Sequence, residues 1–446
     1  MEIHGWGRYP TVNADIDEPV DALSLSQLLQ VQDQQQPAIP RGAGRSYGDS
    51  ALAERVISSR FLDHFVKFDD AAGEIVCASG VTLEQILQIS VPKGWFLPVV
   101  PGTRFVTVGG AIASDVHGKN HHLDGCFSEF VKSIGVMLAS GETVQCSHTR
   151  QKNLFRATCG GMGLTGVILQ ATLKLSRIES AFIKQTALPA ANLDEIFTLF
   201  EENAHSKYSV AWLDCLAKGK NLGRSLLYLG EHATDNNLEL QDSFSVSVPF
   251  HSPGFLLNKY SIGVFNSGYF NLNKRGNGDK QLHYENYFFP LDRIHHWNRL
   301  YGRKGFLQYQ FVIPTETAKE GISSVLREVS NKGKGSFLTV LKKMGQQNKN
   351  FLSFPLDGYT LALDFKYEQS LLPLLDRLDE IVLAHDGKFY LAKDARMNEQ
   401  TFKQAYPEWE KFMKVRNQVD PDDRFTSLQA RRLGLVSAPN GDRHVQ

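Results

Sequence analysis

Cysteine is scarce in this sequence: Cys77, Cys126, Cys146, Cys159 and Cys215 are scattered, and no two show CxxC spacing. That argues against a disulfide framework and against a cysteine-based zinc site, and it fits a reducing compartment. Long apolar runs are missing too. No stretch reaches the roughly 18 uninterrupted apolar residues that mark a membrane-spanning helix. The opening MEIHGWGRYPTVNADIDEP has neither the basic nor the apolar region of a signal peptide, so a cytoplasmic location is expected, with peripheral contact at the inner membrane left open. Net charge is absent, since 48 Lys and Arg balance 48 Asp and Glu, and nothing global calls for nucleic acid.

What is present is room for two domains in 446 residues, with ordinary apolar and charged fractions of 42% and 22%. Residues 1–178 alternate short apolar strands, glycine-rich turns and helices. Leu23, Leu25, Leu28 and Leu29 predict a helix packed on one face. Thr82 and Gln85 read as a capping box ahead of Leu83, Ile86 and Leu87. GVILQATLKL ends the region as a half-buried strand, with Val167, Leu169, Ala171, Leu173 and Leu175 on one side. Residues 179–387 hold longer elements: strands at FLQYQFVI (306–313) and YTLALDF (359–365), and helical periodicity at 193–200 and 371–383. An antiparallel sheet with helices is expected, an α+β arrangement. Residues 388–446 return to short motifs.

Within the middle region, 246–280 sets Phe250, Phe255, Leu256, Leu257, Tyr260, Ile262, Val264, Phe265, Tyr269 and Phe270 among Pro, Gly, Ser and Asn, with Lys259, Lys274, Arg275 and Lys280 against Asp279 alone. Two readings stand: an irregular loop packed on the core, or a lid whose aromatics touch lipid while its cations sit near phosphate.

Four motifs carry the chemistry. RGAGRSYGD (41–49) follows a strand-like Ala38-Ile-Pro; a tight turn alone would explain its glycines, but so would an anion nest of backbone amides cradling a diphosphate. Pro101, Gly102, Thr103, Thr107, Gly109, Gly110, Ala113, Ser114, His117 and Lys119 form the second, where glycines let backbone approach a flat ligand. His121 and His122 read as local polar contacts; no acid or cysteine cluster joins them to hold a metal. CGGMGLTG (159–166) is the third, with Cys159 as a packing residue. YLAKD (390–394) is the fourth, where a lysine leaving a strand can reach into a cleft.

Together these motifs resemble the vanillyl-alcohol-oxidase type of FAD-dependent oxidoreductases, over nearly the whole chain. The runs RGAGRSYGDS, VTVGGAIASDVHGKNHH, FLQYQFVIP and YLAKD are most similar to the branch that acts on polyprenyl-phosphoryl pentoses. The resemblance implies an FAD domain from 1–178 and 388–446 and a substrate domain from 179–387. It implies oxidation of the sugar's 2′-hydroxyl to a ketone, the first half of an epimerisation completed by an NAD(P)-dependent reductase, as used in making cell-wall arabinose. Quinone or oxygen would accept the electrons, and FAD-dependent oxidation of free alditols or aldonolactones is the alternative activity.

For the cofactor it implies contacts from Arg41, Gly42, Ala43, Gly44, Arg45, Ser46, Tyr47, the second motif through His117, Cys159, Gly160, Gly163, Gly166, Tyr390, Ala392 and Lys393. Relatives that bind FAD covalently carry histidine where this chain has Arg45, so non-covalent FAD is expected. Lys393 is the first candidate for the group beside the ring and the substrate hydroxyl, and His117 the second candidate base or an orienting donor. Gln308 and Gln310, two residues apart on a strand, suit sugar hydroxyls, unless that face is simply solvated. Lys342 would stand near the substrate phosphate, with Tyr47, Lys119, Trp212, Thr360 and Ala362 also lining the pocket. Thr360 and Ala362 replace the Asn and Cys of that branch, whose cysteine is attacked by nitroaromatic inhibitors.

Overall fold

The computed structural model describes residues 1–30, 36–241, 245–253, 256–274 and 279–436. Three sheets position the site. A five-stranded antiparallel sheet runs in the order Thr143–Cys146, Val131–Met137, Val167–Lys174, Glu74–Ala78 and Phe65–Asp69. A three-stranded parallel sheet places Arg55–Ser58 between Asp15–Asp17 and Ile39–Arg41. The third has eight antiparallel strands, with Thr339–Met344, Gly358–Lys366 and Phe306–Pro314 adjacent near one edge. Helices Thr315–Lys332 and Leu372–Ala384 pack on each other and on this sheet. The architecture is the expected α+β fold, with the eight-stranded antiparallel sheet joined to a part built on the two smaller sheets.

Local sequence explains the elements near the site. Thr82 accepts from Gln85 N while the Gln85 side chain takes Thr82 N–H, so Leu83–Ser90 starts with two orphan donors satisfied, and Leu83, Ile86 and Leu87 are buried. Thr107 caps Val108–Ala113 by accepting from Gly110 N. The strand Val167–Lys174 alternates as expected except for a bulge between Ile168 and Gln170, which buries Ile168 and half-exposes Leu169. Helix Ala22–Gln30 buries Leu25 and Leu29, but Leu23 is exposed: it stands in the first turn, two positions from Leu25, and so points off the packed face.

The stretch 246–280 is not a loop throughout. Val246–Ser247 pairs with Ile294–His295, and Lys259–Asn273 is a four-turn helix. Asn258 and Ser261 form its capping box. Phe255 and Arg275 lie outside the described residues. The last segment returns to the first: Ala38 bridges Phe425, Tyr47 N donates to Ala392 O, and Arg432 pairs with both Asp49 and Asp394. Lys388–Phe389 still belongs to the eight-stranded sheet, on the outer side of Phe306–Pro314, so the third region begins inside the second one's sheet.

Candidate active site

A cleft of about 420 Å³ lies where the three sheets converge. Residues 41–47, 101–117, 162–168 and 390–393 supply walls, and the inner face of the eight-stranded sheet supplies another through Gln308, Gln310, Lys342, Ala362 and Asp364. Four segments far apart in sequence therefore meet at one place.

The first glycine segment offers donors. Among the described residues the backbone amides of 43–46 meet no acceptor, and they line the cleft. Successive free amides of this kind make an anion-binding nest. Two glycines are needed for close approach. A Cβ on Gly42 would land on Thr107 Oγ1, and one on Gly48 would land on the backbone oxygen of Asp394. Arg45 stacks on Trp6 and Phe105, with its guanidinium carbon 4.5 and 5.1 Å from the ring centres. Ser79 Oγ is buried in the cleft wall without a partner, a polar group that a bound ligand would satisfy. These features fit a flavin dinucleotide.

The second segment differs from expectation in one respect. The amides of Val108, Gly109 and Gly110 are taken by Val81 O, Ser79 O and Thr107 Oγ1, so this helix start is not a free donor set. Its glycines serve packing: a Cβ on Gly109 would stand 2.9 Å from that of Ser79.

The polar centre is built around His117. Its Nδ1 is 3.1 Å from Lys342 Nζ, and its Nε2 is 3.1 Å from Gln310 Nε2. Gln310 also donates to Thr360 Oγ1 at 3.2 Å, and Thr360 donates to Phe311 O at 2.8 Å. Burial, and next the charge of Lys342, holds His117 well below the usual imidazole range. Burial, reinforced by Lys393, brings Lys342 down to about 7. Lys393 lies over the Tyr47 ring, 3.7 Å from its centre, and burial brings it to about 8 against the opposing pull of Asp364. Asp364 accepts from Gln308 at 2.6 Å and is pushed up to about 7 by burial. Titratable groups shifted toward neutrality in one cleft are what proton transfer at ordinary pH requires.

Most residues singled out in the sequence line this cleft, but five do not. Cys159 is sealed in the core behind it, and Gly160 packs against Leu352 and Ser353. Lys119 turns away to donate to Tyr287 O and lie over the Tyr287 ring. Trp212 faces Tyr269 and donates to Phe337 O at 3.0 Å. Thr360 does not line the cleft but accepts from Gln310 and pairs with Lys342 across the sheet. His121 and His122 bond to Gly345 N and Ser206 O, local contacts as expected. Asp364, Asp292, Trp6, Phe105 and Leu338 line the cleft and were not anticipated. Asp364 was within reach of the sequence, because it is two residues beyond Ala362 and so on the same face of its strand.

Comparison with known proteins agrees with this geometry. The FAD binding domain family matches residues 16–147, and the D-arabinono-1,4-lactone oxidase family matches residues 359–433. Decaprenylphosphoryl-β-D-ribose oxidase of Mycolicibacterium smegmatis is 35% identical over 449 residues, covering 97% of each chain. An uncharacterised Streptomyces coelicolor protein is 31% identical over 80% of this chain and 100% of its own. L-Gulonolactone oxidase 5 of Arabidopsis thaliana is 30% identical over 37% of this chain and 29% of its own.

Proposed function

The chain belongs to the FAD-dependent family of decaprenylphosphoryl-β-D-ribose oxidase, and we propose that it oxidises the 2′-hydroxyl of a polyprenyl-phosphoryl pentose to the ketone. The observation that carries the reading is one cleft into which Lys393, Lys342, His117, Gln308 and Gln310 converge beside an unpartnered nest of amides. When bound, FAD supplies the hydride acceptor.

The chain's own residues do the rest. Amides 43–46 and Arg45 hold the diphosphate, and residues 1–178 with 388–446 form the cofactor's share of the protein, leaving 179–387 for substrate. Lys393, neutral in part near pH 8, takes the hydroxyl proton at Nζ. Gln308 and Gln310 orient the sugar, with Gln310 held by His117 and Thr360. Lys342, charged below about pH 7, faces the phosphate. His117 stays neutral, with one ring nitrogen accepting and the other donating, and lies between Gln310 and Lys342. Arg45 offers no nucleophile for a covalent flavin link. The keto sugar would pass to an NAD(P)-dependent reductase, and the electrons to a quinone or oxygen, with the enzyme at a membrane surface.

The match of residues 359–433 to lactone oxidases supports a second reading, oxidation of a free aldonolactone or alditol. Anaerobic bleaching of the flavin separates them. Polyprenyl-phosphoryl ribose should bleach it within a turnover, and free lactones or alditols should not. Bleaching by the free compounds alone would overturn the lipid-linked assignment.

A further inference from the structure

We propose that the outer face of helix Lys259–Asn273 is a docking surface for an anionic lipid bilayer. The link to a membrane-embedded substrate rests on the function proposed above; the docking surface itself does not.

The helix buries Ile262 and Asn266, with Asn266 tied to Asp214 Oδ1 at 2.8 Å. Its opposite side is apolar and uncovered. Tyr260 is 73% exposed, Val264 75% and Leu272 81%, with Phe265 half-exposed beside them. Tyr260, Val264, Gly268 and Leu272 follow one another at four-residue steps and so form one continuous row. Nothing lies within 4 Å of where a Cβ on Gly268 would be, so the row is open along its length. Exposed Leu256 extends it at the N-terminal end. A soluble surface gains nothing from such a row unless something covers it.

Charge selects the occupant. From residue 245 to 278 the sequence holds Lys259, Lys274 and Arg275 and no carboxylate at all. Lys259 and Lys274 stand at the two ends of the row, where long side chains can carry ammonium groups to lipid phosphates while the apolar side chains enter the acyl boundary. Area argues against a second copy of the chain. A 15-residue helix is roughly 22 Å long and about 10 Å wide, which gives roughly 220 Å², well short of the ~800 Å² per partner typical of a stable dimer.

The row is also connected to the cleft. Lys393 lies over Tyr47, whose ring is 5.3 Å from Phe306; Phe306 stacks on Tyr301 at 4.3 Å, Tyr301 on Phe337 at 5.5 Å, and Phe337 meets Phe265 at 5.9 Å. Leu338, next to Phe337, lines the cleft. A packed aromatic core therefore joins the cleft wall to the helix, so the helix sits on the same body as the cleft.

The test is flotation of the full-length, FAD-loaded enzyme with vesicles of phosphatidylcholine alone or with about a quarter phosphatidylglycerol. The wild type should float with the anionic vesicles. Val264→Asp with Leu272→Asp should weaken binding about tenfold or more, and Lys259→Glu with Lys274→Glu should abolish the preference for phosphatidylglycerol. In both variants flavin bleaching by a short-chain, water-soluble polyprenyl-phosphoryl pentose should match the wild type. Wild-type protein that ignores vesicles, or variants that float as it does, would overturn the proposal. So would light scattering showing that the Asp substitutions split a dimer, which would make a second copy the occupant. Failure of the wild type to bleach with the short-chain substrate would instead overturn the function and leave the docking result standing.

Discussion

Lys342 Nζ lies 3.1 Å from Nδ1 of His117, too close in a buried cleft for both groups to be cations. His117 is the one that stays neutral, because burial and then Lys342 push its proton affinity far down. That leaves the lysines to titrate. A base with a depressed pKa acts above that value, so flavin reduction by substrate should speed up with pH and level off beyond about 8, the value for Lys393. His117→Asn should slow the reaction and keep this limb. Lys393→Ala should lose about a hundredfold or more with FAD retained. A rate independent of pH from 6 upward, or a Lys393→Ala variant at full speed, would remove Lys393 from the role of base.

Ala362 faces the cleft where the branch this chain resembles has a cysteine, and the free cysteines, Cys77, Cys126, Cys146, Cys159 and Cys215, are all buried and off its lining. Incubation with a nitroaromatic inhibitor and substrate should leave the intact mass unchanged. Ala362→Cys should create the adduct, since position 362 lies opposite Gln310 in the strand register. A mass increase in the wild type would contradict this.

Gly42 and Thr107 form a tight contact that makes a double-mutant test possible. Gly42→Ala should weaken FAD retention by about tenfold or more, because the added methyl meets the Thr107 side chain and shifts the amide nest. Adding Thr107→Ala should recover part of that loss, despite removing a helix cap. If the pair is additive, the two segments do not share the cofactor's diphosphate wall.

Acid precipitation should release all the yellow colour into the supernatant. Arg45 stacks on Trp6 and Phe105 and has no atom that bonds covalently to a flavin ring. A yellow pellet would point to a covalent link elsewhere.

Lys119, buried against Tyr287 and Phe288, should make stability depend on pH. Burial lowers it from 10.5 to about 7, so between those values the unfolded chain binds a proton that the folded chain does not. Stability from this group therefore rises with pH across that window. In urea unfolding, the wild type should gain on Lys119→Met as pH goes from about 6 to about 9. A constant difference would mean that Lys119 keeps its proton when folded.

Much of the cleft was legible because its parts are local. Glycine clusters and the two-residue spacing of Gln308 and Gln310 declare themselves within a few positions. Asp364 shares a strand face with Ala362 and could have been read from that spacing, but its partnership with Gln308 depends on strand register, which no single segment encodes. Lys119 and Trp212 were misplaced for a related reason: a residue's position near a motif does not tell which way its side chain turns. The helix at 259–273 was hidden by its composition. With Gly263, Gly268 and several Ser and Asn it has weak intrinsic helicity, and its apolar residues lie on both sides. Only the Asn258 and Ser261 capping pair marked its start.

The return of the last segment to the first has a bearing on how the enzyme is made. Tyr47 is pinned by Ala392, and Gly48 lies against Asp394, which Arg432 in turn ties to Asp49. Until residues 390–432 are in place, the wall proposed to hold the diphosphate has no backing. Cofactor capture therefore waits on the last segment, and truncations short of Arg432 should accumulate as colourless protein however well the earlier strands pair.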